Sequence, residues 1–314
     1  MSPPLAAIFS ERQAMQIIGQ DAEAHLTWAG LLGALQAGHR LPRAEIADLL
    51  LSNGQDKLLN RAAWIAGLGS LAKVATVYPN NPARGVPSVN GAVNLFDDAT
   101  GRLAALIDFH LLTKWKTAGD SLLSASRLAR PDAQNFLLVG AGTVARSMVQ
   151  AYRAIWPDAR FLVWSRSAAS AAAFGAELGL PVADDLQKSV QWADVICTAT
   201  MASAPLIHGD WLRAGQHLDL IGAYTPQMRE VDDTAMGRAR LFVDSRATTI
   251  HHIGEIMAPI ASGAIAESDV IADFYDDPAL FTRTSDDEIT IAKNGGGAHL
   301  DLMTAMYILQ AAKP

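Results

Sequence analysis

The sequence predicts an α/β protein with a doubly wound parallel sheet in its second half. Three observations predict it. From residue 117 onward, short apolar runs alternate with helix-patterned stretches, the signature of parallel strands joined by helices. One such run, NFLLVG at 135–140, opens directly into a glycine-spaced turn and a further helix. Between Arg61 and Asp108 the texture differs. There AAWIA, LAKVATVY, GAVNLFD and RLAALID are separated by Gly, Pro and Asn clusters, a strand-and-turn pattern.

Taken in order, residues 11–40 carry apolar positions at helical spacing from Ala14 to Leu35 and read as helix, with Gly38 and Pro42 as punctuation. Residues 44–51 read as a second, short helix. The four runs up to Asp108 read as strands, with Asp98–Gly101 as the hairpin turn before RLAALID. A helix is expected at about 118–129, capped by Thr117 and ended by Arg130-Pro131. Strands follow at 135–140, 161–166, 193–200, 216–224 and 240–246, with helices at about 143–155 and 167–178. After residue 247 come two short helices, a loop of mixed charge at 281–288, a strand in EITIAKN and a closing helix.

The chain has 314 residues, 50% of them hydrophobic, enough for a large core and about two domains. The formal net charge of −7, with no Lys/Arg block, argues against nucleic acid or an anionic membrane as partner. A single cysteine, Cys197, excludes an internal disulfide and fits a reducing compartment. The start, MSPPLAAIFSERQ, lacks the basic-then-apolar pattern of a signal peptide. No uncharged apolar run approaches the roughly 20 residues of a membrane span. The composition therefore points to a soluble, cytoplasmic α/β enzyme.

NFLLVGAGTVARSMVQAY holds Gly140, Gly142 and Ala145 in the pattern G-x-G-x-x-A, with Thr143 and Val144 between them. The pattern follows a strand and opens a helix, the context that a dinucleotide site needs. Gly140 permits the tight turn, Gly142 lets backbone approach a pyrophosphate, and Ala145 lets helix and strand pack closely. The helix N-terminus supplies donors and partial positive charge. The next strand ends in Trp164-Ser165-Arg166-Ser167. An Asp or Glu for a free ribose hydroxyl is missing there. Arg166, flanked by Ser165 and Ser167, suits a 2′-phosphate instead, so NADP is favoured over NAD. Thr198, Thr200 and Met201 end a later strand whose tip is expected to line the nicotinamide crevice, with ordinary strand-end packing as the alternative for each.

A second group of residues suggests a carboxylate substrate. Lys73 lies inside the apolar run LAKVATVY and must find a partner or a cavity, because burying it unpaired is expensive. Arg61 precedes AAWIA, and Ser88 lies in the turn GVPSVNG. Lys116 precedes Thr117, so that free helix-start donors would add to its attraction for an anion. Lys114 cannot share a helix face with Lys116 and is read as facing outward. For each cation alone, a surface or structural role is the alternative; the three together carry more weight.

These stretches, with VWSRS, MREVDD, LFVDSR and ITIAKNGGGAHLD, resemble the ornithine cyclodeaminase/mu-crystallin family from about residue 44 to 312. The resemblance implies a Rossmann NAD(P)-binding domain at 117–289. It implies an α+β substrate-binding and dimerisation domain built from both chain ends, 1–116 and 290–314, and a homodimer. By position, Arg61 and Lys73 match an arginine and a lysine that bind the substrate carboxylate, and Ser88 matches a small hydroxyl residue near the substrate. Lys116 stands where the family carries a second arginine, a point charge in place of a two-pronged fork. True ornithine cyclodeaminases carry an aspartate for the substrate amine near the place of Tyr224, and here no acid follows until Glu230. Glu255 occupies an acidic position of the family, His251 and His252 read as helix or loop residues, and no metal site is expected. The glycines of NGGGAHLD would bring backbone close to the nicotinamide or the substrate, or form a plain turn into the helix. His299 and Asp301 are candidates to touch the site without an assigned proton role.

The expected activity is NAD(P)H-dependent reduction of a small α-imino acid, of the ketimine reductase or amino-acid dehydrogenase type. Lys73 is the candidate for proton transfer. The alternatives are an ornithine cyclodeaminase-like ammonia lyase and a non-catalytic protein that binds a small ligand or cofactor.

Overall fold

The computed structural model describes residues 15–312, so the leader reading at residues 1–13 and the first part of the expected opening helix lie outside the described residues. The chain divides into two compact units, Met1–Thr117 with Gly297–Pro314, and Ala118–Gly296.

In the first unit, β1 (Gln16–Ile18) and α1 (Trp28–Gly38) precede β2 (Glu45–Asn53), β3 (Asp56–Ile65), β4 (Gly69–Val77), β5 (Val89–Phe96) and β6 (Leu103–Asp108). The six strands form one sheet in the order β1-β6-β5-β4-β3-β2. Neighbours from β2 to β6 run antiparallel, and β1 joins β6 in parallel. The opening helix is shorter than the periodicity predicts. Residues 16–18 pair with β6, a six-residue 3-10 helix follows, and the α-helix starts only after Thr27, whose hydroxyl accepts the Gly30 N–H at 3.1 Å. The expected helix at 44–51 is strand β2. Asn53 pairs with Asp56 across the two-residue loop Gly54-Gln55, a hairpin turn in which Gly54 takes φ +60. An apolar run this short cannot separate strand from helix by periodicity. The turn at Asp98–Gly101 forms as expected, with the Asp97 carboxylate accepting the Thr100 N–H and Gly101 at φ +67.

α2 (Phe109–Leu128) follows β6 without a break, and the Asp108 carboxylate accepts the Leu111 N–H at 2.8 Å. This overturns the expected helix start. Thr117 is an interior residue, and Lys114 and Lys116 lie within the helix with no free backbone donors beside them.

The second unit continues with β7 (Asn135–Val139), α3 (Thr143–Ile155), β8 (Arg160–Trp164), α4 (Ala168–Leu178), α5 (Leu186–Trp192) and β9 (Val195–Thr198). It then runs through β10 (His217–Leu220), α6 (Asp233–Arg238), β11 (Arg240–Val243), α7 (Arg246–Thr249), α8 (Gly254–Ser262), β12 (Val270–Ala272) and β13 (Thr290–Lys293). Its sheet has the order β12-β11-β13-β10-β9-β7-β8, and every pair is parallel. The chain is thus an α/β protein with a Rossmann-like parallel sheet, as its alternating texture predicts. Phe136, Leu137, Leu138 and Val139 of β7 are fully buried, each contributing about 1.5–3 kcal/mol of hydrophobic stabilisation. β13 lies between β10 and β11, so residues 290–296 belong to this unit and the expected boundary at 290 moves to 297.

α9 (Ala298–Ala311) returns the chain to the first unit, where it packs on α1, β3 and β4. Helix α1 lies close to it: a Cβ on Gly38 would stand 2.5 Å from the Met303 side chain. The Tyr307 hydroxyl accepts the Thr27 N–H at 2.7 Å. Among the described residues, no helix is long and apolar enough to cross a membrane.

Candidate active site

The turn from β7 into α3 shows why glycine stands at 140. Its φ is +118, and a Cβ there would meet the Ala199 carbonyl oxygen at 2.5 Å. Gly142 is the N-cap of α3, no side chain caps the helix, and a Cβ at this position would meet nothing within 4 Å. The helix start therefore faces open space with uncommitted donors, which fits a diphosphate. Ala145 is buried where α3 meets the sheet.

Beside this turn lies a cleft of about 240 Å³. Of the expected cofactor residues, Gly140, Gly142, Ser165, Arg166, Thr200 and Met201 line it. Arg166 is exposed and has no ion-pair partner among the described residues. Thr143 and Val144 begin α3 outside the cleft wall, and Thr198 is buried in β9. Ser167 is the N-cap of α4, its hydroxyl accepting the Ser170 N–H at 3.2 Å, so it serves the helix rather than the cleft wall.

Two supports escaped the sequence reading. Arg146 donates to the Ala141 carbonyl at 3.2 Å while Glu177 holds its guanidinium at 2.7 Å. Glu230, fully buried, accepts the N–H groups of Thr200 at 2.9 Å and Gly222 at 2.8 Å, tying the tips of β9 and β10 together. Glu255 in turn accepts the Glu230 and Val231 N–H groups. Burial raises the Glu255 carboxyl to about 7, against the opposing charge of Lys293 and with the help of Glu230. Lys293, also buried, donates to the Leu220 carbonyl at 2.7 Å.

The first unit collects the cations. In the β3–β4 register Arg61 lies directly opposite Lys73, and like charges so placed repel. Asp301, in the first turn of α9, answers them. Its Oδ1 accepts from Lys73 Nζ at 2.9 Å, and its Oδ2 lies 3.9 Å from Arg61 Nη1, too far for a hydrogen bond. Arg61 also pairs with Asp48 of β2 at 2.5 Å. Lys73 Nζ stands 4.9 Å from the centre of the Phe109 ring. Lys114 is separate from this group: it pairs with Glu23 at 2.6 Å, and Glu23 also accepts from Trp115 Nε1. Lys116 has no ion-pair partner among the described residues, yet its charge reaches Lys73, His299 and Asp301. Ser88 precedes β5 and has no side-chain hydrogen bond among the described residues, so nothing joins its hydroxyl to the cations.

These charges shift one another. Burial pushes the Lys73 ammonium below its ordinary value, Asp301 opposes, and Lys116 and Arg61 push it further down. Burial works to raise the Asp301 carboxyl, but Lys73, Lys116 and Arg61 together hold it below the usual carboxylate range. Burial, with His39 and Lys116, drives His299 down to about 3, so it is a neutral imidazole at working pH. Tyr224 is exposed, and His251 lies on the surface 3.6 Å from Glu267. Among the described residues, no group of three His, Cys, Asp or Glu is placed to hold a metal ion.

The model of the ornithine cyclodeaminase/mu-crystallin family matches residues 66–314. The chain belongs to this family. A family relative, the Delta(1)-pyrroline-2-carboxylate reductase of Paracoccus denitrificans, is 51% identical over 296 residues, covering 92% of this chain and 94% of the relative. Among solved structures, the Delta(1)-pyrroline-2-carboxylate reductase of Thermococcus litoralis in complex with NADH and L-proline superposes with a TM-score of 0.85 at 24% identity, covering 95% of this chain and 97% of that one. The iminosuccinate reductase of Paracoccus denitrificans in complex with NAD+ gives a TM-score of 0.83 at 25% identity, covering 95% and 96% of the two chains.

Proposed function

We propose that this chain reduces the C=N bond of a small α-imino acid with a nicotinamide dinucleotide, and that Δ1-pyrroline-2-carboxylate is its first substrate to test. It is an NAD(P)-dependent oxidoreductase acting on carbon–nitrogen bonds, like its 51% identical relative named for that reaction. The observation that carries the reading is Lys73, a buried ammonium bonded to Asp301 and set opposite Arg61. Arg61, Lys73 and Lys116 neutralise the substrate carboxylate, and Ser88 lies near the substrate. Lys73 hands a proton to the imine nitrogen, a role that its lowered pKa supports. His299 cannot be that donor, because it is neutral.

The backbone at Gly140, Gly142, Thr143 and Val144 holds the dinucleotide's diphosphate end, with Ala145 letting α3 pack closely on the sheet, and Thr200 and Met201 at the tip that follows Thr198 meet its nicotinamide end. When bound, the reduced nicotinamide supplies the hydride for the imine carbon. Arg166, uncommitted at the cleft with Ser165 beside it, supports NADP over NAD. The first unit is the substrate and dimerisation domain, and the second the cofactor domain. A homodimer would cover β2, an edge strand whose nine residues are all exposed, Ile46, Leu49, Leu50 and Leu51 among them. The cytoplasm is the compartment that fits one buried thiol and no disulfide.

The test is a panel of cyclic imino acids, and of 2-oxo acids with ammonia or methylamine, scored by NADPH and NADH absorbance. Oxidation of NADPH by cyclic imino acids is expected. Ammonia release without net cofactor change would replace the reading with a lyase. Cofactor retained without oxidation across the panel would leave a binding protein.

A further inference from the structure

We propose that Asp301 is the positioning residue that keeps Lys73 protonated, so that a carboxylate near the chain's end sustains the proton donor of a strand near its beginning. The donor role of Lys73 rests on the function proposed above; the pairing rests on geometry alone.

Lys73 occupies a poor place for a cation. It is buried, Arg61 opposes it across the β3–β4 register, and Lys116 adds a second like charge from α2. The β5 residue opposite it is Val93, which offers no charge, and the Phe109 ring fills the space near Nζ. Asp48 of β2 pairs with Arg61 and not with Lys73. His299, whose neighbours include His39, carries no charge at working pH. Asp301 is therefore the one carboxylate bonded to Lys73 among the described residues, at 2.9 Å.

Its setting suits that task. Asp301 is fully buried, and its Oδ2 accepts no hydrogen bond among the described residues, so its one strong bond goes to Lys73. The helix that carries it is held to α1 by Tyr307, which bonds the Thr27 backbone at 2.7 Å. A fully buried carboxylate is costly unless it is paired, and here the bonded partner is Lys73. In the reduction, a Lys73 N–H bond breaks as the imine nitrogen gains that proton, and the imine carbon takes the hydride of the cofactor, which leaves oxidised. Lys73 is left as a neutral amine and recovers its proton from water. Asp301 stays ionised throughout and biases that recovery.

The sign follows. Asp301→Asn removes the influence that raises the proton affinity of Lys73, while burial, Arg61 and Lys116 remain. Lys73 then loses its proton at lower pH. Competitive acetylation with acetic anhydride across a pH series, read by peptide mass spectrometry, reports the Lys73 midpoint without any turnover. We expect the midpoint to fall by about one pH unit or more in Asp301→Asn, a tenfold change in proton affinity, and to recover most of that in Asp301→Glu. An unchanged midpoint overturns the proposal. Should the variant not fold, the wild-type enzyme decides: a Lys73 midpoint above neutrality supports the proposal. A midpoint near the range of about 5–6 known for unsupported buried lysines overturns it. In parallel, the alkaline limb of imine reduction should move down with the midpoint. A moved midpoint with an unmoved limb supports the pairing and overturns Lys73 as donor, which separates the two failures.

Discussion

The two units do their work with different parts of the chain. In the second, the decisive features are backbone: the turn at Gly140, the uncapped start of α3, and the strand tips that Glu230 ties by their N–H groups. In the first, they are side chains, with Arg61, Lys73 and Asp301 gathered from β3, β4 and α9. A backbone site tolerates side-chain change but not a change of dihedral angle. A charged cluster has the opposite sensitivity, because removing one member strands another in low dielectric. Each unit should therefore fail in its own way.

The largest effect is expected from Lys73→Met. Loss of a positioned acid costs about a hundredfold to ten-thousandfold in turnover. The same change leaves Asp301 buried without its partner, a loss of about 3–5 kcal/mol. Cofactor affinity, measured by NADPH fluorescence titration, should stay near wild type, since Lys73 belongs to the first unit. Turnover like that of the wild type would end the role given to this residue. The mirror experiment is Gly140→Val. A branched side chain cannot hold φ +118 and would meet the Ala199 carbonyl, with strain of about 1–3 kcal/mol. Here cofactor affinity should fall by about a hundredfold in the same titration, while the acetylation midpoint of Lys73 stays where it was. If both variants damaged both readouts equally, the division of labour would be wrong.

A smaller effect sharpens the account of the second unit. Arg166→Ala should weaken NADPH by about tenfold, the worth of one charge-assisted hydrogen bond to a phosphate, and leave NADH affinity unchanged. Equal weakening of both would assign Arg166 to the diphosphate or to the fold.

The same contrast explains what could be read in advance. Backbone demands leave marks at fixed spacing, so Gly140, Gly142 and the strand that precedes them were legible, and α3 spans Thr143–Ile155, in line with the pattern. The opposition of Arg61 and Lys73 was half legible, since both are equidistant from Gly67, the turn glycine at φ +85, but neither the turn nor its register was assigned. The tie from Lys73 to Asp301 spans 228 residues and leaves no periodic trace. Thr117 resembled a helix cap because it precedes a helical run, but the cap is Asp108, which the strand before it disguises. β2 misled for a related reason: all nine of its residues are exposed in the single chain, so no alternation of buried and exposed positions is written into it.

The subtlest test concerns stability and sets Glu255, a buried carboxylate of the second unit, against Asp301 of the first. Asp301 is held below the usual range, so its pairing stabilises above the ordinary carboxylate pKa and is lost as pH falls. Glu255 runs the other way. Its folded value of about 7 lies above its ordinary value of 4.5, so the folded state binds the proton more tightly than the unfolded chain does. Its contribution is fully present below pH 4.5 and is lost as pH rises through about 7. Between those limits the second unit should become less stable with rising pH, and Glu255→Gln, which cannot ionise, should flatten that slope. Denaturant melts of wild type and variant at several pH values, followed by fluorescence, measure the difference in slope. Parallel slopes would mean that Lys293, buried nearby, holds Glu255 ionised throughout, and that the charge pair rather than burial governs this carboxylate.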